Sequence, residues 1–111
     1  MVALTFEEYR LHAMRTSRKD LSVNEHLLNG MLGLAGECGE CADLVKKHMY
    51  QDGRDIKDKL FDELSDVLWY VAETATAMGF NMNDIAAHNI DKLKKRYPDG
   101  FDSDRSLHRR E

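Results

Sequence analysis

The chain has 111 residues, which suffices for one domain and is too short for two ordinary ones. Hydrophobic residues make up 42% and charged residues 32%, a globular composition that excludes an intrinsically disordered chain. The 20 acidic and 16 basic residues give a formal net charge of -4, which argues against a general nucleic-acid-binding surface.

The sequence predicts neither a membrane-spanning helix nor a secretory signal. The longest apolar run extends only from Val67 to Ala72, whereas a membrane-spanning helix needs about 20 residues. The first ten residues contain Glu7 and Glu8 and lack the basic start and apolar stretch of a secretory signal. We therefore expect a cytoplasmic protein without a membrane partner.

Two capping boxes mark the first two predicted helices. Thr5 and Glu8 start helix 1, predicted from about Phe6 to Arg15. Ser22 and Glu25 start helix 2 in the same way. Helix 2 carries apolar residues at helical spacing, which predict a buried stripe made of Leu27, Met31, Leu34, Ala35, Cys38, Ala42, Val45 and Met49.

Two further helices are predicted after the Asp52-Gly53 turn. Asp55 can cap helix 3, which ends at Gly79, and Asn81 or Asn83 can cap helix 4. Helix 4 runs to about Arg96, before Pro98. Residues 1–101 are thus the predicted domain, and residues 102–111 a loose polar tail. The predicted buried face of helix 3 consists of Leu60, Phe61, Leu64, Leu68, Val71 and Ala75.

The predicted fold class is all-α, a four-helix bundle completed by homo-oligomerisation. The run from Val67 to Ala72 makes helix 3 apolar around most of its circumference, and such a helix is normally enclosed by protein. One short partner, helix 1, cannot cover it, so we expect a second copy to contact the face that carries Trp69. Large aromatic side chains are expected in the core or in this interface: Phe6, Tyr9, Trp69 and Phe80.

Two carboxylate pairs carry the candidate chemistry. Glu37 and Glu40 lie three residues apart on helix 2, and Glu63 and Asp66 have the same spacing on helix 3, so each pair shares one helix face. Four carboxylates that converge between packed helices repel one another unless they are protonated or bridged by cations. Because oxygen ligands select Mg²⁺ or Mn²⁺ over zinc, the pattern predicts a magnesium site.

Other interpretations of these pairs remain open. Acidic pairs at this spacing are common on solvated helix faces, and either pair alone would be structural. Their position on the most apolar helices, near Gly30 and Gly33, favours a metal site. A di-iron site is disfavoured, because that class uses Glu-x-x-His on two helices and neither pair contains a histidine.

Helix 4 offers groups of the opposite charge. Asn89, Lys92 and Arg96 share one face, so an amide, an ammonium and a guanidinium could bind phosphate oxygens together. The alternative is an ordinary basic helix end, which the helix dipole favours. Helical projection places Lys59 and Tyr70 beside the helix 3 pair. Carboxylates and basic groups together suit a polyphosphate substrate.

Three segments resemble the MazG-type, all-α nucleoside triphosphate pyrophosphohydrolases: GLAGECGE at residues 33–40, DELSDVLWYVAE at 62–73 and NIDKLKKRYPDGF at 89–101. The resemblance implies Mg²⁺-dependent hydrolysis of a (deoxy)nucleoside triphosphate to monophosphate and pyrophosphate, with Mn²⁺ as a possible substitute. It also implies homodimers or homotetramers in which two chains contribute helices to each site.

Residue roles follow from the same resemblance. Tyr70 matches a substrate-contacting tyrosine of the related dCTP pyrophosphatases, and His12 matches a histidine that contacts the nucleotide there. Leu21 stands where those enzymes have a base-stacking tryptophan, so the base preference is left open. The implied metal ligands are Glu37, Glu40, Glu63 and Asp66, and the implied phosphate or sugar contacts are Asn89 and Lys92.

The Cys38-x-x-Cys41 spacing does not predict zinc or redox chemistry. A zinc site needs further ligands, and a redox motif starts a helix instead of standing mid-helix between glutamates. We expect Cys38 to be buried and Cys41 to lie near acidic groups that disfavour its thiolate. Two cysteines are consistent with a reducing compartment.

The sequence thus predicts a nucleotide pyrophosphohydrolase that removes unwanted nucleotides from the pool. Cations held by the carboxylates would polarise the phosphate and activate a water, and Glu37 or Glu40 could accept the proton of that water. One alternative is an enzyme similar to phosphoribosyl-ATP pyrophosphohydrolase. The other is a non-catalytic helical dimer that binds nucleotides or a partner protein. The intact set of four carboxylates favours an enzyme.

Overall fold

The chain is built from helices. The computed structural model describes residues 3–109. Its helices are α1 (Phe6–Ala13), α2 (Val23–Tyr50), α3 (Lys57–Met78), α4 (Met82–Arg96) and α5 (Ser103–Leu107), with a 3-10 turn, Met14–Thr16, after α1. Within residues 3–109 there is no β-strand, which confirms the all-α prediction.

Local hydrogen bonds start the helices where the sequence predicts. The Thr5 hydroxyl accepts from the Glu8 N–H at 3.0 Å, and the Glu8 carboxylate accepts from the Thr5 N–H at 3.1 Å. Ser22 and Glu25 form the same reciprocal pair at the start of α2. Of the two predicted caps of α4, it is Asn81 that accepts from a helix N–H.

The ends of the chain differ from the prediction in two places. The α-helical part of α1 stops at Ala13, and the last turn tightens into the 3-10 turn. Part of the predicted loose tail is helical, because Asp102 caps α5 and Arg105 Nε donates to the Arg96 carbonyl at 2.6 Å. Residues 110 and 111 of the predicted tail lie outside the described residues.

Helices α2 and α3 form a hairpin in which two glycines permit close contact. A Cβ atom on Gly33 would lie 2.1 Å from the Tyr70 ring, and one on Gly30 would lie 2.3 Å from the Thr74 hydroxyl. A Cβ on Gly36 would meet nothing within 4 Å. Only the first two glycines are therefore required by the packing of the hairpin.

These distances predict opposite effects for two similar substitutions. Gly33→Ala should lower the free energy of unfolding by roughly 1–3 kcal/mol, because the methyl group displaces the Tyr70 ring. The matched control, Gly36→Ala, should raise it by up to about 1 kcal/mol, since alanine is the better helix former. Urea unfolding of both variants measures the difference. Equal effects would show that Gly33 does not set the α2–α3 distance.

A small core joins α1, α3 and α4. Ala72, Ala75 and Met82 are buried, and partly buried residues of α1 and α3 pack around them. Glu7 connects α1 to the start of α4, since its Oε1 accepts from the Met82 N–H at 3.0 Å and its carboxylate bonds the Arg10 guanidinium. These donors, Arg10 first, lower the pKa of Glu7 from 4.5 to about 2.

The lowered pKa of Glu7 predicts a pH-dependent contribution to stability. The contribution is fully present above a pH of about 4.5 and is lost as the pH falls towards about 2, where the folded-state carboxylate takes up a proton. Glu7→Gln should therefore lower Tm at pH 6, and the gap from the wild type should close below pH 4.5. Melting curves across this range decide the matter; a gap that persists at pH 2 would contradict the assignment.

The predicted buried stripe of α2 is mostly exposed. Leu27 and Leu34 are half-buried, but the remaining six members are exposed in the single chain: Met31, Ala35, Cys38, Ala42, Val45 and Met49. Periodicity identified the apolar face, but α3 packs on the neighbouring face that carries Gly30 and Gly33. Of the predicted buried face of α3, Phe61 and Leu64 are also exposed.

The run from Val67 to Ala72 packs in part within one chain. Every residue in it is at least half-buried within one chain, because α1 and α2 both pack against α3. The indole N–H of Trp69 donates to the Ala13 carbonyl at the end of α1, and Trp69 is half-buried there, so the contact of this face with a second copy stays a prediction. None of the described helices is long and apolar enough to cross a membrane.

Candidate metal centre

Helices α2 and α3 bring the carboxylates together. Glu37, Glu63 and Asp66 each place an oxygen within 4.8 Å of the other two. Glu37 and Glu63 are half-buried, and Asp66 is exposed. Glu40 lies outside this group of three but beside Glu63, whose carboxylate raises its pKa. We call these four residues the carboxylate cluster.

Negative charge is concentrated in the carboxylate cluster. The Glu63 carboxylate raises the pKa of Glu40, and the Glu37 carboxylate raises the pKa of Glu63. In both cases the largest cause is a side-chain hydrogen bond to the neighbouring carboxyl group, which favours the protonated form, and nearby carboxylate charge adds to the shift. A bound cation would instead favour the ionised carboxylates.

One oxygen atom of the carboxylate cluster indicates whether the cluster suits a metal ion. Glu37 Oε2 is buried and has no hydrogen-bond partner in the described part of the chain. A buried carboxylate oxygen without a partner is costly, and a cation would satisfy it. Because the neighbouring donors are also carboxylate oxygens, the site fits Mg²⁺ or Mn²⁺.

A groove of about 540 Å³ adjoins the cluster between α2 and α3. Glu40 and Glu63 lie on its wall together with Lys59, which is exposed. The rest of its lining consists of Gly36, Gly39, Asp43, Leu44 and Asp62. We call it the Lys59 groove.

A second depression, of about 410 Å³, lies on the α1 side of the cluster. Glu37 and Asp66 line it together with Thr16, Trp69 and Tyr70. The Trp69 and Tyr70 rings meet edge to face at 5.1 Å, and Tyr70 packs on Gly33. We call it the α1-side depression.

The predicted phosphate-binding face of helix 4 does not join this site within one chain. Neither the Lys59 groove nor the α1-side depression is lined by a described residue of α4. The reason is topological, since α4 packs against α1, whereas the cluster lies between α2 and α3. Asn89 is exposed, and Lys92 and Arg96 are half-buried elsewhere. His12 is exposed on α1 and lines neither depression.

The cysteines do not extend the site. Cys38 is exposed, which contradicts its predicted burial, because it belongs to the uncovered stripe of α2. Burial raises the pKa of the Cys41 thiol, and the Glu63 carboxylate adds to the effect. The pKa shift has the direction expected from the sequence, although burial is the larger cause.

Fold and site together define an all-α protein with an acidic candidate cation site between two helices. A family model of the MazG nucleotide pyrophosphohydrolase domain matches residues 25–101, so the chain belongs to this family. The chain is similar to the Gene 37 protein of Mycobacterium phage L5, with 39% identity over 69 residues. That match covers 59% of this chain and 60% of the relative, so less than two thirds of the relative is spanned. No solved structure matches the chain.

Thr16 and Trp69 also line the α1-side depression, and neither is predicted there from the sequence. Trp69 follows Asp66 by three residues on α3, a spacing that could have signalled it. Thr16 belongs to a different element, and only the folding of α1 onto α3 brings it beside the cluster.

Proposed function

We propose that the protein is a Mg²⁺-dependent nucleoside triphosphate pyrophosphohydrolase, which converts a (deoxy)nucleoside triphosphate and water to the monophosphate and pyrophosphate. The observation that carries the proposal is the convergence of one oxygen each from Glu37, Glu63 and Asp66 within 4.8 Å, together with a buried Glu37 oxygen that lacks a hydrogen-bond partner among the described residues. Membership of the MazG nucleotide pyrophosphohydrolase family supports it.

Each part of the site has a role in this proposal. Glu37, Glu40, Glu63 and Asp66 hold Mg²⁺, which supplies charge neutralisation at the phosphates and acidifies a bound water. Glu37 or Glu40 accepts the proton of the attacking water. Lys59, on the wall of the adjoining groove, binds phosphate oxygens as a point charge. The half-buried Tyr70 contacts the substrate on the other side of the cluster.

The active unit in this proposal is a homodimer or homotetramer. The radius of gyration is 17.0 Å, whereas a compact domain of this length has about 13 Å. The uncovered stripe of α2 and the exposed side chains of Phe61 and Leu64 offer an apolar face for a second copy. A second copy also allows the α4 face with Asn89, Lys92 and Arg96 to serve a cluster other than the one in its own chain.

Mass measurements test the assembly. Light scattering should give at least twice the chain mass of 12.8 kDa for the wild type. Ala42→Glu places a charge in the middle of the exposed α2 stripe and should shift the protein towards the monomer with loss of activity. A fully active wild-type protein at the mass of one chain would contradict the shared site.

A nucleotide panel tests the function. The canonical ribo- and deoxyribonucleoside triphosphates and phosphoribosyl-ATP are incubated with the protein, and pyrophosphate and orthophosphate are measured separately. We expect pyrophosphate from at least one nucleoside triphosphate, with Mg²⁺ or Mn²⁺ and not with chelator. Turnover of phosphoribosyl-ATP alone would favour the related enzyme class. Binding without turnover would favour a non-catalytic module, and activity in chelator would refute the metal site.

A further inference from the structure

The exposed apolar residues of α2 repeat at a regular spacing. Steps of three and four residues alternate along the helix, and the set consists of Leu28, Met31, Ala35, Cys38, Ala42, Val45 and Met49. All seven are exposed in the single chain, because α3 packs on the face that carries Gly30 and Gly33. Alternating steps of three and four are the heptad spacing of a coiled coil, in which the apolar seams of two helices pack together. We call these seven residues the α2 seam.

The size of the side chains varies along the α2 seam. Small side chains stand in its middle at Ala35, Cys38 and Ala42, and larger leucine, methionine and valine side chains lie towards its ends. Gly39, beside the middle of the seam, is also open, since a Cβ atom there would meet no described atom within 4 Å. Small residues allow two helix axes to approach to about 8 Å, the short end of the usual range. The middle of α2 is therefore shaped for close contact with another helix.

The charges of α2 complement those of an antiparallel copy. The seam contains no charged residue, and beside it Lys46 and Lys47 pair with Asp43 of the same chain. The helix has Glu25 in its first turn and Lys47 and His48 in its last. A parallel pair would bring like charges and like ends of the helix dipoles together, whereas an antiparallel pair places the acidic start of one helix beside the basic end of the other.

The exposed area of the α2 seam suits a second copy. From Leu28 to Met49 the seam extends over about 32 Å of helix. Its side chains expose roughly 600 Å² per chain, so two copies would bury roughly 1,200 Å², which reaches the range of stable, specific interfaces. The seam is thus large enough to hold two chains together.

We propose that two copies associate through the α2 seam, with their α2 helices antiparallel about a two-fold axis at residue 40. The seam positions are symmetric about that residue, so Cys38 lies opposite Ala42 of the partner subunit, and Met31 lies opposite Met49 of the partner subunit. Because Glu37 faces α3 on another side of α2, this interface leaves the carboxylate cluster uncovered. The inference rests on the homo-oligomer of the proposed function and adds its interface and register.

Disulfide cross-linking reads out this register. In a Cys41→Ser background the α2 seam keeps one thiol, at Cys38, and Ala42→Cys adds a second. Mild oxidation should link two copies of the Cys41→Ser/Ala42→Cys variant, because the register brings the paired Cα atoms within the roughly 4.4–6.8 Å that a disulfide spans. The covalent dimer is measured by denaturing electrophoresis without reductant. A variant that stays unlinked would overturn the proposal.

Variants with one thiol in the seam distinguish this register from others. Cys41→Ser alone should stay unlinked, and so should Ala42→Cys combined with Cys38→Ser and Cys41→Ser. A mixture of the two that has exchanged subunits should give the covalent dimer. Linkage of either variant with itself would show that equal positions meet, as in a parallel pair, and would refute the register. Asp58→Cys without the native cysteines measures random collisions, since Asp58 is exposed on α3, and linkage through the seam must be faster.

Charges placed in the seam and beside it test the interface by a second route. Met49→Glu lies in the seam, whereas Tyr50→Glu lies outside it, and both native side chains are exposed. Sedimentation equilibrium should show that Met49→Glu raises the dissociation constant of the dimer by roughly tenfold or more, and that Tyr50→Glu changes it by less than about threefold. Equal effects of the two substitutions would contradict the proposed seam.

The cross-linking and sedimentation experiments contain no nucleotide, so they separate the interface from the reaction. A protein that cross-links as expected but releases no pyrophosphate would refute the proposed function and support the interface. An active dimer that does not cross-link through Cys38 and position 42 would refute the interface alone. A wild-type protein at the mass of one chain would refute both the interface and the proposed assembly.

Discussion

Replacing Glu63 with glutamine, or Asp66 with asparagine, should lower kcat/KM by roughly 100-fold or more while helix content stays at the wild-type value. Both carboxylates belong to the group within 4.8 Å, and neither is buried in the apolar core. The amide keeps the shape of the side chain but removes the negative charge that a divalent cation requires.

A carboxylate elsewhere on α3 is the control for this experiment. Asp58 is exposed in the first turn of the helix and lies outside both depressions, so Asp58→Asn should keep near-wild-type activity. Activity is measured as pyrophosphate release at saturating Mg²⁺, and helix content by circular dichroism. Near-wild-type turnover of Glu63→Gln would refute the metal assignment.

Replacing Glu73 with alanine should give the largest loss of stability. Glu73 is 1% exposed, and its two carboxylate oxygens bond the two side chains His26 (Nδ1, 3.1 Å) and Asn29 (Nδ2, 2.9 Å). These bonds join α2 to α3 at the end of the hairpin away from the Asp52-Gly53 turn.

The expected cost of Glu73→Ala is about 3 kcal/mol, from the cavity and from two polar groups left without a partner. Glu73→Gln is the matched control, because its amide fills the same volume, its oxygen can accept from Asn29 and its nitrogen can donate to His26 Nδ1. Urea unfolding of the two variants should therefore separate them by more than about 1 kcal/mol. Equal stabilities would show that the buried hydrogen bonds contribute little.

The local features of the fold could be predicted from the sequence. The caps at Thr5 and Ser22 depend on hydrogen bonds between residues three positions apart, so the sequence contains both partners in one short segment. The end of α3 at Gly79 is local for a similar reason, since its φ of +74° suits glycine. The spacing of the carboxylates also predicted which of them share a helix face.

The non-local features could not be predicted in this way. The periodicity of α2 identified an apolar stripe around Cys38, but not whether α3 or another molecule covers it. The partner of Glu73 at His26 lies 47 positions away along the chain, and no local pattern marks it. The sequence predicts that the basic face of α4 at Lys92 faces the carboxylates, but the packing of α4 on α1 keeps it away from them within one chain, so its place in a site stays a prediction.

The most direct test of the account is the position of oxygen transfer in water labelled with ¹⁸O. The protein is incubated with Mg²⁺ and its preferred nucleoside triphosphate, and the products are analysed by mass spectrometry. If water attacks the α-phosphorus while pyrophosphate leaves, the label appears in the nucleoside monophosphate and pyrophosphate is unlabelled. Label in pyrophosphate, or in orthophosphate formed with a nucleoside diphosphate, would contradict the proposed reaction.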